Sequence, residues 1–400
     1  MAAMTPEPSS ETSPAGQTPP PAVTRRNSRR PAQPRSLRRR LLRGTAWAAG
    51  LVTLAVAVFL AIPSPIHPLA WNPPPAPALT GVLAPNEKLS HAQLVSALPD
   101  GPEFITFDAQ GDLYTGDESG TIFRIPPGGK AERFASTGGR PNGVAFAPDG
   151  NLLVADTRRG LLSVSPGGRV TVLAGKAGGR PIALANELAV ARDGTVYFSD
   201  STVTPYARID LTRELLGNRP TGRLLRYDPR TRRTDVLLGG LSLANGVALA
   251  RDQSYVLVAE SYRYRITRYW LTGPKAGTHD IFASNLPGFP DNITAGPNGT
   301  FWVALYQPRS GMIDFLQRHP FLKAQLAKLP DALLTAGEAK ASTALQLSAA
   351  GRPLRALSDS TGHIFGLTTA LAHDGYLYLG TDHTGSNDVM RYPLSGRSAF

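Results

Sequence analysis

The sequence of 400 residues contains no cysteine. Disulfides, thiolate metal sites and a cysteine nucleophile are therefore excluded. The G-x-S-x-G motif of the α/β-hydrolases is also absent, so no serine nucleophile is indicated by that pattern. The chemistry of this chain must rest on carboxylates, amides, hydroxyls or histidines.

Acidic residues are fewer than basic ones, which gives a formal net charge of +12. Nine arginines lie between Arg25 and Arg43, so most of the excess is in one N-terminal segment. The remainder of the chain is close to neutral. We therefore expect no nucleic-acid partner, because such proteins spread basic residues over a folded surface.

One uncharged apolar run of eighteen residues is present, at 45–62. As a helix it spans ~27 Å, about one bilayer core. It predicts a transmembrane signal-anchor, preceded by a disordered Arg/Pro-rich cytoplasmic tail (1–44) and followed by a Pro-rich linker (63–86). The arginines place the tail inside, so the membrane is a partner through this helix and the rest of the chain is extracytoplasmic. The alternative is export after cleavage of a signal peptide.

A polar turn followed by an alternating apolar strand recurs six times after residue 87. The shared turn position is occupied by Gly111, Gly150, Gly194, Gln253, Gly299 and Gly375. Most copies are followed by further strands of period two, so each unit is typical of a small antiparallel meander. Repeats of this length indicate propeller blades. The fold class is therefore all-β, a six-bladed β-propeller over 87–400 with an N-terminal transmembrane anchor.

The spacing of the repeats is widened at 307–342, where apolar residues recur at helical intervals. This segment predicts a helical insertion over one propeller face. It either packs on the blades alone or serves as a lid or membrane-touching element.

The residue eight positions before each shared turn position is, in five of six blades, a carboxylate or an amide. The set is Glu103, Asn142, Asn186, Asn245 and Asp291, with Leu367 and the adjacent Thr368 in the sixth blade. Equivalent positions on inner strands converge on the propeller axis. Such oxygen donors suit Ca²⁺, whereas zinc is disfavoured because no histidine shares the position. Singly, each Asn-Gly or Asp-Asn pair is more typical of a turn than of a metal ligand.

Two motifs, PGFPDNI at 287–293 and HDGYLYLG at 373–380, carry a family resemblance. With them the chain resembles the strictosidine synthase-like propellers, most of all the adipocyte plasma membrane-associated protein branch, which are related to gluconolactonases and paraoxonases. The resemblance covers about residues 80–400. It implies a central Ca²⁺ held by Glu103, Asn186, Asn245 and Asp291, with Asn292 as a further ligand.

The same resemblance implies hydrolysis of a small-molecule ester or lactone, with Asp291 as the catalytic residue that orients or deprotonates water. Asn142 and Thr368 are expected to line the channel or contact substrate. One alternative is a non-catalytic propeller in which calcium is structural. A strictosidine synthase-type condensation is disfavoured, because it needs a carboxylate shortly before the HDG strand and residues 361–372 contain none.

Overall fold

The computed structural model describes residues 35–335, 339–382 and 387–394. The chain forms two compact units, Met1–Pro63 and Ser64–Phe400. The first 34 residues of the predicted disordered tail lie outside the described residues, so that part of the interpretation stays a prediction.

The first unit contains the helix α1, Arg35–Ala61. Its stretch Arg38–Ala61 is long and apolar enough to cross a membrane. The helix begins ten residues before the predicted anchor, because that stretch consists mostly of Arg and Leu, which are both good helix formers. Its end at Ala61 precedes Pro63, and a proline disfavours helical backbone in the residue before it.

The second unit consists mainly of strands. They are β1 (Gln93–Ala97), β2 (Ile105–Phe107), β3 (Leu113–Gly116), β4 (Thr121–Ile125), β5 (Glu132–Ser136), β6 (Pro141–Phe146), β7 (Leu152–Asp156), β8 (Gly160–Val164), β9 (Val170–Ala174), β10 (Lys176–Ala177), β11 (Arg180–Pro181), β12 (Ala185–Val190), β13 (Val196–Asp200), β14 (Gly222–Asp228), β15 (Arg233–Leu241), β16 (Ala244–Leu249), β17 (Tyr255–Glu260), β18 (Arg265–Trp270), β19 (His279–Ala283), β20 (Gly288–Ala295), β21 (Phe301–Pro308), β22 (Ser342–Leu347), β23 (Pro353–Asp359), β24 (Leu367–His373), β25 (Tyr376–Thr381) and β26 (Asp388–Pro393).

Within the described residues these strands form six four-stranded antiparallel sheets, so the predicted six-bladed propeller is confirmed. In five blades the four strands follow one another in sequence order. These blades are β2–β5, β6–β9, β12–β15, β16–β19 and β20–β23. The last blade has the order β1-β26-β25-β24, so the N-terminal strand closes the ring. Its register pairs Gln93 with Arg391 and Leu94 with Met390. The strands β10 and β11 form a separate short hairpin.

The shared turn position has left-handed backbone in every blade. Gly111, Gly150 and Gly194 have φ of 84°, and Gln253 adopts 61° in the one blade that lacks glycine there. Glycine reaches this region without the clash that a Cβ causes, which is why it recurs at this position. In four blades every residue of the strand that follows the turn is buried, namely in β3, β7, β13 and β17.

Two insertions contribute the remaining helices, α2 (Leu211–Gly217), α3 (Gly311–Gln317), α4 (Pro320–Leu326) and α5 (Asp331–Leu334). The predicted helical insertion is thus confirmed. Each insertion joins the second strand of a blade to the third, and in an antiparallel sheet that connection lies at the end where the inner strand begins. We call the described residues of 202–221 and 309–341 the helical cap.

The segment predicted as a proline-rich linker lies against the cap. Leu69 N donates to Gly217 O at 3.0 Å, and Trp71 N donates to Gln317 O at 2.9 Å. Lys323 Nζ donates to Leu69 O at 2.6 Å. We call residues 64–76 the strap. It is bound to the cap and is not a free spacer.

Candidate metal and substrate site

The inner strand of nearly every blade is irregular where a predicted site residue lies. The ladder between β6 and β7 pairs Pro141 and Gly143 with their neighbours but leaves out Asn142. Corresponding breaks leave out Asn186 and Glu187, Asn245 and Gly246, Asp291 and Asn292, and Thr368. A bulge frees a residue from the ladder and re-aims its side chain. Glu103 lies just before the first inner strand, β2.

The glycine after Asn245 has a packing role. A Cβ on Gly246 would lie 2.4 Å from Asp291 O and 2.5 Å from Ile293 N. The inner strands β16 and β20 therefore lie closer together at this point than any side chain at position 246 would permit. The Asn-Gly pair at this point lies within a strand next to the axis, so the alternative interpretation of this pair as a turn is wrong.

The predicted residues meet at one cavity. Glu103, Asn142, Asn186, Asn245, Asp291 and Thr368 all line a space of about 1070 Å³. Each of them is buried. Asn292 is also buried, but its amide faces a different set of partners. Its Nδ2 donates to Glu103 O at 3.2 Å and to Thr369 Oγ1 at 3.4 Å.

Several buried oxygens in this group have no hydrogen-bond partner among the described residues. They are the Oδ1 atoms of Asn142, Asn186, Asn245, Asp291 and Asn292. Burying a polar oxygen without a partner costs on the order of 1–3 kcal/mol. Five such oxygens near one axis fit a hard cation, which would satisfy several of them together.

No group of three or more His, Asp or Glu side chains that could hold a metal ion is found in the part of the chain that the structure describes. The donor set therefore depends on amide oxygens beside two carboxylates. Calcium accepts such mixed oxygen ligands, whereas zinc prefers nitrogen and sulfur.

Without a bound cation, the charged forms of the Glu103 and Asp291 carboxylates are electrostatically unfavourable. Burial raises the pKa of Glu103 well above its ordinary value, and the charges of Asp291 and Asp382 raise it further. Burial likewise raises the pKa of Asp291 to about 8, although a hydrogen bond with Asn245 lowers it in part. A bound divalent cation would reverse both effects, because it favours the charged form of each carboxylate.

A cationic side chain that the repeat pattern did not predict as a site residue lies beside Glu103. Arg140 forms an ion pair with Asp382, and its Nη2 is 3.3 Å from Glu118 Oε1 and 3.8 Å from Glu103 Oε2. The ring of Tyr206 lies 5.2 Å from Arg140 Cζ. The only sequence signal for Arg140 as a site residue was its position two residues before Asn142. Asp382 and Tyr206 do not occupy the repeated position, so the sequence pattern did not indicate that they belong to the site.

Glu187 is a further buried carboxylate near the axis. Its Oε1 accepts from Leu188 N at 2.8 Å, and its Oε2 has no partner among the described residues. Burial raises its pKa well above the ordinary value. Its position directly after Asn186 was the only sequence signal for it.

The opposite wall of the cavity is apolar and is formed largely by the cap. Leu211 and Leu215 of α2 and Ile313 and Leu316 of α3 line it, together with Phe289. A polar floor under an apolar roof is typical of sites that bind a mostly hydrocarbon molecule with one polar group.

Two family models match the chain. The model for strictosidine synthase matches residues 186–274, and that for the strictosidine synthase-like N-terminal region matches residues 81–125. Adipocyte plasma membrane-associated protein of Salmo salar is 37% identical over 357 residues, covering 83% of this chain and 85% of that protein. The chain belongs to this family.

The human member of the family is 34% identical over 360 residues, covering 84% of this chain and 86% of its own length. Strictosidine synthase-like 10 of Arabidopsis thaliana is 36% identical over 312 residues, covering 70% of this chain and 82% of its own. The predicted family is therefore confirmed, and its salmon and human members are named as plasma membrane-associated proteins.

Solved structures at lower identity share the fold. A gluconolactonase of Xanthomonas campestris has a TM-score of 0.57 at 17% identity and covers 84% of this chain and 99% of its own. Regucalcin of Agrobacterium tumefaciens, described as a calcium-binding protein, has a TM-score of 0.54 at 13% identity and covers 76% of this chain and 95% of its own. These similarities establish the propeller alone.

Proposed function

We propose that this chain is a membrane-anchored, calcium-dependent hydrolase of esters or lactones. The observation that carries the proposal is the set of buried oxygens at the floor of the cavity that find no hydrogen-bond partner in the described part of the chain. A propeller that used these positions only for packing would have no reason to bury so many unsatisfied acceptors. The named activity of the gluconolactonase neighbour and the calcium of the regucalcin neighbour support the same class.

The residues that would hold calcium are Glu103, Asn186, Asn245 and Asp291, with Asn142 lining the same floor. Asn292 is a weaker ligand candidate because its amide group braces neighbouring strands, although its Oδ1 accepts no hydrogen bond from any described residue. When bound, calcium would polarise a substrate carbonyl and stabilise the negative charge that develops on its oxygen.

Asp291 is the proposed general base. Its Oδ1 is buried and has no hydrogen-bond partner among the described residues, so it can accept a hydrogen bond from a water molecule. It would orient a water molecule at the cavity floor and accept its proton. The apolar cap would bind the hydrocarbon part of the substrate and exclude bulk water, while Thr368 and Asn142 line the polar end.

Anchoring is the second part of the proposal. The helix α1 would cross the membrane, with the arginines before it on the cytoplasmic side and the propeller outside. Export after cleavage of a signal peptide is the alternative. A reporter enzyme fused after Phe400 that is active only in the cytoplasm would overturn the proposed orientation.

The main rival is a propeller in which calcium is structural and no substrate is turned over. A condensing enzyme of the strictosidine synthase type is disfavoured, because residues 361–372 contribute no carboxylate and Thr368 Oγ1 is hydrogen-bonded to Gly380 O at 3.1 Å.

The decisive experiment uses the purified full chain in detergent, assayed on phenyl acetate and a panel of lactones. We expect turnover that a calcium chelator abolishes, that added calcium restores, and that Asp291→Asn lowers by ~10²-fold or more. Asp193→Asn, in an exposed turn, is the matched control and should retain full activity. Calcium that raises thermal stability without any turnover on the panel would favour the structural rival.

A further inference from the structure

The outer surface of the helical cap carries large apolar side chains that face solvent. Among the most exposed are Met312 at 67%, Phe321 at 63% and Leu333 at 63% of their full accessible area, and Leu211, Phe315 and Leu322 are also exposed. An exposed apolar patch of this kind is typical of an interaction surface, since burying such side chains removes apolar area from water.

These side chains belong to one connected body. Arg213 of α2 donates from Nε to Ala327 O at 3.0 Å and from Nη2 to Leu329 O at 2.9 Å. Its Nη1 lies 2.5 Å from Asp331 Oδ1, at the start of α5. Asn218 and Gln317 join the end of α2 to the end of α3 through a hydrogen bond of 2.8 Å. These bonds therefore join the segments that carry the exposed side chains into one body.

The surface coincides with the mouth of the cavity. Leu211, Met312 and Leu333 line the cavity and are each more than half exposed. Anything that covers the outer surface of the cap therefore also controls what enters the site.

The length of the chain before the cap indicates what covers it. The strap is hydrogen-bonded to the cap at Leu69, only eight residues after the last residue of α1. Eight residues span at most ~29 Å when fully extended. If α1 lies in a bilayer, this tether keeps the attachment point at Leu69 close to that bilayer. A soluble protein partner has no such covalent link to the cap.

Basic residues of the cap favour the same occupant. Arg208, Arg219 and Arg318 of the cap are exposed. Cationic side chains are attracted to an anionic headgroup surface. Aromatic and aliphatic side chains flanked by arginines are typical of surfaces that lie in the membrane interface.

We propose that the helical cap docks on the lipid bilayer, with Met312, Phe321 and Leu333 buried at the boundary of headgroups and acyl chains. The cavity mouth then opens toward the lipid, so an apolar substrate enters from the bilayer and not from water. This inference rests on the proposed placement of α1 in a membrane, and the test separates the two.

The absence of native cysteine permits single-cysteine labelling of the full chain. Met312→Cys, Phe321→Cys and Leu333→Cys would each be labelled with an environment-sensitive fluorophore in nanodiscs containing anionic lipid. Val172→Cys and Ile281→Cys are matched controls, since both are exposed apolar residues on outer strands, β9 and β19. Val56→Cys, within α1, reports insertion of the anchor.

We expect spin-labelled lipids to quench the emission of the three cap labels and of the Val56 label at least twofold, and to leave the two blade labels unchanged. Quenching at Val56 with cap labels as unquenched as the blade labels would overturn the docking alone. An unquenched Val56 label would overturn the anchor and the docking together. Cap labels that are shielded only in discs with two copies of the chain would identify a second copy as the occupant and overturn the lipid proposal.

Discussion

Asn292 of the fifth blade donates a hydrogen bond of 3.2 Å to the carbonyl oxygen of Glu103, at the start of the first blade. The same carbonyl accepts a bond of 2.8 Å from Thr369 Oγ1 of the last blade. Three inner strands are thus joined near the axis by side chains and not by the sheet ladders. This contact fixes the backbone of Glu103 while its carboxylate faces the cavity.

Asn292→Ala should therefore lower the free energy of unfolding in the absence of calcium. We expect a loss of ~1–2 kcal/mol, because a buried hydrogen bond is removed while Thr369 still satisfies the carbonyl. Chemical denaturation in excess chelator measures it, with Asn151→Ala in an exposed turn as control. Unchanged stability in chelator combined with weaker calcium binding would make Asn292 a ligand and not a brace.

The stability of the metal-free protein should depend on pH, because burial raises the pKa of Asp291 to about 8. Its unfolded pKa is ~3.9, so between these values the folded state holds a proton that the unfolded state has lost. The stability of the metal-free protein should fall as pH rises from ~4 to ~8. Asp291→Asn should flatten this slope, which denaturation at several pH values would measure.

For the same reason calcium should bind more tightly as pH rises toward 8. We expect affinity at pH 6 to be at least ~10-fold lower than at pH 8, since calcium must displace the proton. Titration calorimetry in two buffers of different ionisation enthalpy measures both the affinity and the number of protons released. An affinity that does not change over this range would contradict the raised pKa.

The repeat pattern was enough to predict the blades and most of the floor of the cavity. Residues at one position of a repeated unit are related by rotation, so Asn186, Asn245 and Asp291 were found by counting alone. Arg140 and Asp382 pair across 242 positions of the chain, and no local pattern encodes such a contact. The closure of the last blade by β1 was missed for the same reason.

The cap was predicted as helical, but its attachment was not. The hydrogen bonds of the strap use backbone groups of Leu69 and Trp71, and backbone groups carry no sequence signature. The proline-rich composition indicated an extended segment and said nothing of what it would contact.

A buried ion pair holds the loop beside the site in the third blade. Arg223 Nε donates to Asp200 Oδ2 at 2.9 Å, and Asp200 Oδ1 accepts from Leu184 N, a cavity residue, at 2.9 Å. Both side chains are almost completely buried. Arg223→Ala should cost ~3–5 kcal/mol of unfolding free energy, because it leaves a buried carboxylate unpaired.

The matched control for that variant is Arg226→Ala on the same strand. Arg226 Nη2 lies 2.8 Å from Asp235 Oδ2, but the arginine is 44% exposed. We expect a loss of no more than ~1 kcal/mol from this partly solvated pair. Equal losses in the two variants, measured by urea denaturation, would contradict the importance given to burial.

The strap should hold the cap in place through Trp71, whose ring lies 4.6 Å from Arg263 Cζ and 5.7 Å from the ring of Tyr264. Trp71→Ala removes these contacts and should loosen the bond from Trp71 N to Gln317 O at the end of α3. Hydrogen exchange should therefore accelerate in the strap and in α3 and α4, and remain unchanged in the blades, because local opening follows the contacts that are lost. Val236→Ala, an exposed site on β15, should leave the cap unchanged. If exchange accelerates equally in the blades and the cap, Trp71 stabilises the propeller as a whole. The prediction that the strap specifically stabilises the cap would then be wrong.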